Sequence, residues 1–377
     1  MTLLSPDVEA NIVTDKPRLH ALVIGVADYP HLMNGSGALA ADPLGLGQVT
    51  TPQYTALRII KWLREEYAFK NKPLGSIEAV LSPAQVLPDA NGAPVNVERA
   101  TFSGIDAAFK RWVKRCSAHP DNTAFFYFCG HGLEKGEQFI LPENFKDPAE
   151  LDDWRNCINF DATRVGMKAC KAQTQLFFVD ACRETPFGML TDIDVSGQKL
   201  ITSKLGDAVK CSATYYATAE GKQAYGPQND VTYFGQAVIH CLNGLASGYM
   251  DGKWTVDTYS LSKSLGQVMH HYAEKYREPL DCNPNVSGLG VINEPGKARV
   301  IARIKCSNDA ATAAAEIEMR RNGVSHKAGV NDKKPLIQEV EPGDWEIIVT
   351  FPGGGFAAPA PFSRTLMPAL FEGVEVP

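Results

Sequence analysis

Short apolar runs alternate with longer segments of helical periodicity from the start of the chain to about residue 293. Several runs are continuously apolar, as expected of strands that are covered on both faces. The predicted strands are Leu19–Val26, Ala79–Leu81, Thr123–Cys129, Gln175–Ala181 and Ala208–Ala217. Apolar residues spaced by three and four predict the helices Thr55–Phe69, Phe102–Cys116, Phe234–Leu245 and Leu261–Tyr276. This alternation predicts an α/β domain with a mostly parallel sheet flanked by helices.

The pattern changes near Gly296, where runs such as RVIARIKC and PLIQEVEPGDWEIIVTF predict short strands joined by tight turns. We expect a small C-terminal β-sandwich there. The predicted organisation is an N-terminal extension over residues 1–17, an α/β domain over 18–293 and an accessory domain over 296–377.

Composition narrows the class of protein. With 44% apolar residues, 21% charged residues and a net charge of -6, the chain is typical of a globular protein and not of a nucleic-acid binder. The nine cysteines are odd in number and scattered, which favours a reducing compartment. No apolar run approaches the length of a membrane span and the N-terminus lacks the pattern of a leader peptide. We therefore expect a cytoplasmic protein with no membrane partner.

Two predicted strands end in reactive side chains. The segment TAFFYFCGHG (123–132) carries His131, and QTQLFFVDACRE (173–184) carries Cys182. In an open parallel sheet, groups at the carboxyl ends of adjacent strands meet although they are distant in sequence. A Cys at a strand end is usually a core residue and a His-Gly is often a turn, but a His about 50 residues before such a Cys favours a catalytic pair.

The chemistry of a thiol supports this hypothesis. A thiol with its usual pKa near 8.5 is only partly ionised at neutral pH, so it needs a base such as His131 to become a good nucleophile. The glycines on both sides of His131 leave the backbone accessible. We expect the amides of Gly132 and Cys182 to form the oxyanion site of an acyl-transfer centre.

The segments RLHALVIGVADYP, FYFCGHG with LPENF, and FFVDACR resemble the caspase and metacaspase superfamily, especially its bacterial members. The resemblance covers roughly residues 18–290. It implies a caspase-like fold, a Cys–His dyad at Cys182 and His131, and endopeptidase activity whose specificity is set mainly by the residue before the scissile bond.

Asp180 changes the expected specificity. Caspases have Gln-Ala-Cys-Arg-Gly where this chain has Asp180-Ala181-Cys182-Arg183-Glu184, and Asp180 is the metacaspase-like residue. Since side chains two apart on a strand share a face, we expect Asp180 to face the cleft and pair with a substrate Arg or Lys. The alternative is a structural carboxylate that binds backbone amides at the strand end.

The second acidic residue of the metacaspase specificity pocket does not occur at its usual position in this chain. Metacaspases usually carry Asn-Asp-Ala at the start of the first helix, and its Asp joins the specificity pocket. This chain has Tyr54-Thr55-Ala56, so it lacks that acidic residue. Glu220, in ATAEGKQAYG, is the candidate replacement, and the alternative is a loop acid that faces solvent.

The sequence also bears on cofactors, maturation and partners. The cysteines show no CxxC pairing, so we predict no metal and no cofactor, while activation by calcium stays open. The long polar segment after Cys182 suggests proteolytic maturation near Arg183, Lys199 or Lys204, by the enzyme itself or by an upstream protease. We expect a protein substrate and a regulatory protein at the C-terminal domain, in a bacterial stress, cell-death or phage-defence pathway by resemblance. The competing hypotheses are a non-catalytic interaction module and a redox-sensing thiol protein.

Overall fold

The computed structural model describes residue 4 and residues 16–89, 91–191, 195–202, 209–330, 332, 335–368 and 372–376. The strands up to residue 290 are β1 Leu19–Val26, β2 Leu74–Ser82, β3 Val86–Pro88, β4 Pro94–Asn96, β5 Thr123–Cys129, β6 Gly132–Glu134, β7 Gln138–Ile140, β8 Ile158–Asn159, β9 Thr174–Asp180, β10 Cys211–Tyr216, β11 Gly248–Met250, β12 Lys253–Asp257 and β13 Asn283–Ser287. The α-helices of this part are α1 Thr51–Glu65, α2 Phe102–Cys116, α3 Phe160–Gly166, α4 Phe187–Thr191, α5 Tyr233–His240 and α6 Thr258–Tyr276. A 3-10 turn covers Met167–Ala169 and a π-helical turn covers Cys241–Leu245.

The elements after residue 290 are mostly strands. They are β14 Val291–Asn293, β15 Val300–Cys306, β16 Glu316–Arg321, β17 Val324–Ala328, β18 Leu336–Val340, β19 Gly343–Thr350, β20 Phe362–Leu366 and β21 Glu372–Val376, with the helix α7 Asp309–Ala314 between β15 and β16.

A six-stranded sheet in the order β13-β10-β9-β5-β1-β2 forms the centre of the α/β part. All its pairings are parallel except that of β13 with β10, which is antiparallel. Helices pack on both faces of this sheet. The predicted α/β class with a mostly parallel sheet is therefore confirmed.

Aromatic side chains from alternate positions of β5 connect the sheet to its helices. Phe125 stacks on Trp62 of α1 with ring centroids 6.3 Å apart, and Phe126 contacts Trp112 of α2 on the opposite face at 6.1 Å. Because successive strand residues point to opposite faces, a strand with helices on both sides has to be apolar throughout. This explains the unbroken apolar run of β5, all of which is buried.

The first helix and the edge strand β13 differ from the prediction. The helix begins at Thr51 instead of Thr55, because Pro52 lies in its first turn, where proline is well tolerated. The sequence pattern gave no sign of β13, whose segment NPNVS is partly exposed and only weakly apolar. Its strand conformation comes from pairing with the open edge of β10.

Contacts divide the chain into two units, residues 1–239 with 269–290 and residues 240–268 with 291–377. In the second unit, the sheets β18-β15-β21 and β17-β16-β19-β20 enclose a common apolar core that includes Ile304, Ile317 and Ile347. The predicted C-terminal β-sandwich is confirmed by these two packed sheets. The strands β11, β12 and β14 form a further small sheet of this unit. The predicted domain boundaries at 17–18 and 293–296 stay predictions.

Candidate active site

His131 and Cys182 lie at the carboxyl edge of the central sheet, each just beyond a strand. β5 ends at Cys129 and β9 ends at Asp180, and these two residues are directly opposite in the parallel pairing. The Gly130 N–H continues this pairing by donating to the Asp180 carbonyl over 3.3 Å. The prediction that His131 and Cys182 follow neighbouring strands is confirmed. This edge is where open parallel sheets form their binding clefts.

The imidazole of His131 is held from two sides. Its Nε2 lies 2.7 Å from the Gly47 carbonyl oxygen, and since a carbonyl only accepts, Nε2 carries the proton of this bond. In the neutral ring Nδ1 is then the basic nitrogen. The backbone N–H of His131 donates to the Tyr29 hydroxyl over 2.7 Å, and the two rings are 4.7 Å apart. Burial lowers the pKa of His131, while the bond to Gly47 opposes that shift.

The loop between β1 and α1 brings the Gly47 carbonyl to His131. Gln48 ties the two ends of this loop together, because its side-chain amide donates to the Tyr29 carbonyl over 2.8 Å and accepts from the Tyr29 N–H over 2.8 Å. The same amide donates to the Met33 carbonyl, and Met33 bridges to Gly47. The position of the Gly47 carbonyl therefore depends on the side chain of Gln48.

The Cys182 thiol contacts the backbone of Ala224. The Ala224 N–H donates to Sγ over 3.4 Å, and Sγ lies 3.9 Å from the Ala224 carbonyl oxygen. Burial raises the pKa of Cys182, and the carboxylates of Glu184 and Asp180 raise it further, against the Ala224 bond. Among the described residues, no hydrogen bond joins the thiol to the His131 imidazole. The shifts of both pKa values favour the neutral forms of the two groups.

Gly132 packs tightly against the segment that carries the thiol. A Cβ atom at position 132 would lie 2.7 Å from the Ala181 Cβ and 2.7 Å from the Cys182 carbonyl oxygen. Real side chains do not reach such separations without a shift of the backbone, so the residue after His131 has to be glycine here.

The direction of the Gly132 N–H follows from the hairpin of β6 and β7. The His131 carbonyl accepts from the Leu141 N–H, so residue 131 belongs to a hydrogen-bonded pair of the ladder. In an antiparallel ladder, hydrogen-bonded and non-hydrogen-bonded pairs alternate along the strand. The N–H groups of residues 132 and 134, which belong to non-hydrogen-bonded pairs, should therefore point away from the partner strand. The Glu134 N–H does so and donates to the Glu184 carbonyl over 3.0 Å. By this alternation, the Gly132 N–H also points to the segment that follows β9.

The Asp180 side chain is 3% exposed. Its Oδ2 accepts from the hydroxyls of Tyr127, over 2.9 Å, and of Thr232. Its Oδ1 is buried and accepts no N–H or O–H from the described residues. Burial raises the pKa of Asp180 to about 6, although Thr232, Tyr127 and the weak donor Cys129 lower it. The partners of Asp180 among the described residues are thus hydroxyls and the weak donor Cys129, not the backbone amides of the structural alternative.

Thr55 occupies the place of the missing acid and joins this cluster indirectly. Its Oγ1 accepts from the Thr232 N–H over 2.9 Å, which connects α1 to the start of α5. The Thr232 hydroxyl also accepts from the Gly235 N–H over 3.0 Å, as an N-cap does. The hydroxyl that donates to Asp180 is therefore fixed by two helices.

Glu220 is 72% exposed in its side chain and pairs with Arg183 over 3.3 Å. Arg183 is buried, binds Glu134 over 3.2 Å as well, and places its guanidinium 4.4 Å from the centre of the Tyr216 ring. The structure thus brings Glu220 to the residue next to Cys182, in an ion pair with Arg183. Whether it binds substrate stays a prediction.

Four residues of this site had no signal of function in the sequence. Gly47 and Ala224 act through main-chain atoms, which carry no residue signature. Tyr29 lies in the motif GVADYP, which gives no indication that its hydroxyl accepts from the His131 N–H. Thr232 precedes a helix and was not distinguishable from an ordinary cap.

The predicted processing sites differ in accessibility. Arg183 is 5% exposed and ion-paired, so it is protected in the folded chain. Lys199 is exposed and follows Gln198, whose backbone bonds to Cys157 and Asn159. Lys204 lies outside the described residues.

The described part of the chain contains no group of three or more His, Cys, Asp or Glu side chains placed to hold a metal ion. None of the helices in the described ranges is long and apolar enough to cross a membrane.

Comparison with known proteins identifies a family. The family Peptidase_C14, described as the caspase domain, matches residues 18–275. A protein of Sinorhizobium fredii (strain NBRC 101917 / NGR234), named "Uncharacterized protein y4kE", is 28% identical over 225 residues, which are 59% of this chain and 59% of the relative. The chain thus spans less than two thirds of that relative. Since the family match covers more than half of the chain, this protein belongs to the caspase-domain family of cysteine peptidases.

Proposed function

We propose that this protein is a cysteine endopeptidase that cleaves protein substrates after Arg or Lys, with Cys182 as nucleophile and His131 as general base. One observation carries the proposal: the two residues lie just beyond neighbouring strands. In addition, Nε2 of His131 donates to the Gly47 carbonyl. That bond leaves Nδ1 as the atom that can take the thiol proton, and it stabilises the imidazolium that then forms.

The reaction begins from a neutral pair. As Sγ of Cys182 attacks the scissile carbonyl carbon, Nδ1 of His131 takes the thiol proton. The N–H groups of Gly132 and Cys182 bind the oxyanion that develops on the carbonyl oxygen. His131 next gives its proton to the leaving amine, and the C–N bond breaks to leave a thioester. His131 then deprotonates a water molecule that attacks the thioester carbonyl, and the C–S bond breaks. The released thiolate takes that proton back from His131, which restores the thiol.

The preference for a basic residue rests on Asp180. Its Oδ1 has no N–H or O–H donor among the described residues, so it can accept from a guanidinium or ammonium group. Such a cation would lower the pKa of this buried carboxyl and so keep it ionised. Because the Thr232 hydroxyl is hydrogen-bonded to Oδ2, a substrate cation would share the carboxylate with this hydroxyl or displace it.

Glu220 is the second acidic residue of the proposed specificity pocket. Its exposed carboxylate shares Arg183 with Glu134, so a substrate cation would have to compete with that guanidinium. We therefore assign Glu220 a smaller contribution than Asp180 to the selection of Arg or Lys.

A non-catalytic interaction module is the second candidate. The observation in its favour is that the thiol bonds to Ala224 and not to His131. Catalytic hydrogen bonds are often long in unliganded enzymes and tighten only with substrate, so this observation does not outweigh the placement of the pair.

The test is cleavage of fluorogenic peptides that carry Arg, Lys or Asp before the scissile bond. We expect cleavage after Arg and Lys by the wild type and none by Cys182→Ala. Asp180→Asn is expected to reduce kcat/KM for the Arg peptide by about 10- to 100-fold, since one charge-assisted bond contributes about 1.5–3 kcal/mol.

Two outcomes would contradict the proposal. Lack of cleavage by the wild type, also after limited proteolysis and with calcium added, would favour the interaction module. Faster cleavage after Asp than after Arg would remove the role of Asp180 and leave the peptidase in place.

Maturation and pathway complete the proposal. We propose that cleavage at Lys199, by the enzyme itself or by an upstream basic-specific protease, precedes full activity, and that a regulatory protein binds the C-terminal sandwich. A bacterial stress, cell-death or phage-defence role follows from the family resemblance alone. If full activity develops while the chain remains intact, maturation is not part of the mechanism.

A further inference from the structure

Gln138 is a fully buried side chain beneath the proposed oxyanion site. It lies on β7 and is 0% exposed. Its Nε2 donates to the Cys182 carbonyl over 3.1 Å and to the Phe139 carbonyl over 3.0 Å. Its Oε1 accepts from Nε of Arg183 over 3.1 Å. Both amide hydrogens and the amide oxygen of Gln138 are therefore engaged, and two of these three bonds go to the nucleophile and the residue after it.

The peptide unit between Cys182 and Arg183 is held on both sides. Gln138 binds its carbonyl oxygen, and its N–H donates to the Lys222 carbonyl over 2.9 Å. The preceding strand is fixed by pairing as far as Asp180. With both flanks fixed, the backbone dihedral angles of Cys182 are set, and these angles direct both its thiol and its amide.

The same amide also touches the second oxyanion donor. A Cβ atom at Gly132 would lie 2.8 Å from Nε2 of Gln138, so the two are in direct contact. The backbone of Gln138 is held as well, because its N–H donates to the Asp161 carboxylate over 2.8 Å. Asp161 in turn accepts from the Tyr216 hydroxyl over 2.8 Å. The amide of Gln138 thus has few alternative positions.

We propose that Gln138 is a positioning residue of the oxyanion site: by fixing the Cys182 carbonyl while packing on Gly132, it sets the relative placement of the two amides that receive the oxyanion. This inference rests on the proposed function. It adds a residue that binds neither substrate nor the reacting atoms.

Two substitutions separate the bonds of Gln138. Gln138→Glu keeps an acceptor for Arg183 but turns a carboxylate oxygen to the Cys182 carbonyl, which accepts only. Gln138→Met has a similar length and loses every side-chain hydrogen bond. Gln138→Glu keeps the contact with Arg183, so it serves as the folded variant if Gln138→Met is unstable.

The matched control is Gln175→Met. Gln175 is 2% exposed, and its Nε2 also donates to two backbone carbonyls, those of Met167 over 3.1 Å and Ala172 over 3.0 Å. It lies near the start of β9, at the opposite end of the strand from Cys182. It therefore reproduces the loss of a buried amide without touching the oxyanion site.

The experiment measures kcat and KM for an Arg peptide together with the rate at which iodoacetamide alkylates Cys182. We expect kcat of both Gln138 variants to fall by about 10- to 100-fold, with KM little changed. Removal of a whole oxyanion donor usually costs more, about 100- to 1,000-fold in kcat. Alkylation builds no oxyanion, so its rate in Gln138→Met should stay within about twofold of the wild type. In Gln138→Glu the added carboxylate can slow alkylation by raising the pKa of the thiol, so the alkylation readout is taken from Gln138→Met. Gln175→Met should keep the wild-type kcat.

The outcomes distinguish the two proposals. If the wild type does not cleave the peptide, the proposed function itself fails. If the wild type cleaves and both Gln138 variants cleave equally well, only the role of Gln138 is wrong. A loss of alkylation in parallel with kcat would show that Gln138 acts on the general structure, which also overturns the positioning role.

Discussion

At the scale of single residues, burial acts on the Cys182 thiol and the His131 imidazole in opposite directions. It raises the pKa of the thiol and lowers the pKa of the imidazole, and each change favours the uncharged form. Both shifts disfavour a thiolate–imidazolium pair at rest. In the proposed mechanism the proton therefore moves during the attack, when the bond from Nε2 to Gly47 would stabilise the imidazolium.

This charge state predicts the pH dependence of alkylation. The rate at which iodoacetamide modifies Cys182 should keep rising with pH through an inflection above about 8.5, the usual pKa of a thiol. Mass spectrometry of the labelled chain measures it, and Cys182→Ala provides the background from Cys282, the other partly exposed cysteine. A fast, pH-independent rate between about pH 5 and 7 would instead indicate a stable ion pair.

Asp180 couples the same site to the stability of the fold. Its pKa is about 6 in the folded chain and 3.8 in the reference state, so the folded chain binds more protons between these values. The wild type should lose roughly 3 kcal/mol or less of unfolding free energy as the pH rises from about 4 to 6, at about 1.4 kcal/mol per unit. Asp180→Asn should lack this loss, because its amide does not titrate.

Urea denaturation at about pH 4 and about pH 7 tests this linkage. The stability of Asp180→Asn relative to the wild type should increase with pH. Parallel pH dependences of the two proteins would mean that Asp180 does not titrate in this range. All other ionisable groups are shared by the two proteins, so their contributions cancel in the comparison.

At the scale of elements, the loop between β1 and α1 supports His131, the proposed general base. Gln48→Leu removes the bonds that join Gln48 to Tyr29 and Met33. Since general-base catalysis contributes about 100- to 10,000-fold, we expect kcat to fall by about tenfold or more when the Gly47 carbonyl is no longer held on His131. The assay is the Arg peptide at saturating concentration.

A half-buried glutamine outside this loop supplies the comparison. Gln85→Leu, in the segment before β3, should retain the wild-type kcat. If Gln48→Leu also retains it, the loop keeps the Gly47 carbonyl in place by other contacts.

The elements also show what the sequence could predict. The runs for β1 and β5 gave the bounds of both strands, because burial on both faces requires an unbroken apolar run. β13 was missed, because its pairing depends on an edge of β10 that exists only in the folded sheet. Likewise, Cys182 and His131 are readable as reactive residues at strand ends. The hydrogen bond from Thr232 to Asp180 was not, because a Thr before a helix has the appearance of an ordinary N-cap.

At the scale of the whole molecule, the two units have separate apolar cores. The sandwich core includes Ile347, which is 0% exposed, and no residue of the candidate active site. Ile347→Ala should destabilise the sandwich by about 2–5 kcal/mol, the usual cost of removing a buried Ile side chain. We expect one calorimetric transition to move to lower temperature while kcat for the Arg peptide stays unchanged. A single transition that moves as a whole would show that the two units unfold together.

If the proposed function holds, the carbonyl of Gly47 has a consequence for the genetics of this protein. Every residue type has a main-chain carbonyl, so a scan of point substitutions would find Cys182 and His131 and pass over the third member of the group. Insertions and deletions between β1 and α1 behave differently, because they displace the carbonyl from His131 whatever side chains they bring. A change in the length of that loop should therefore reduce kcat more than a substitution of residue 47 does.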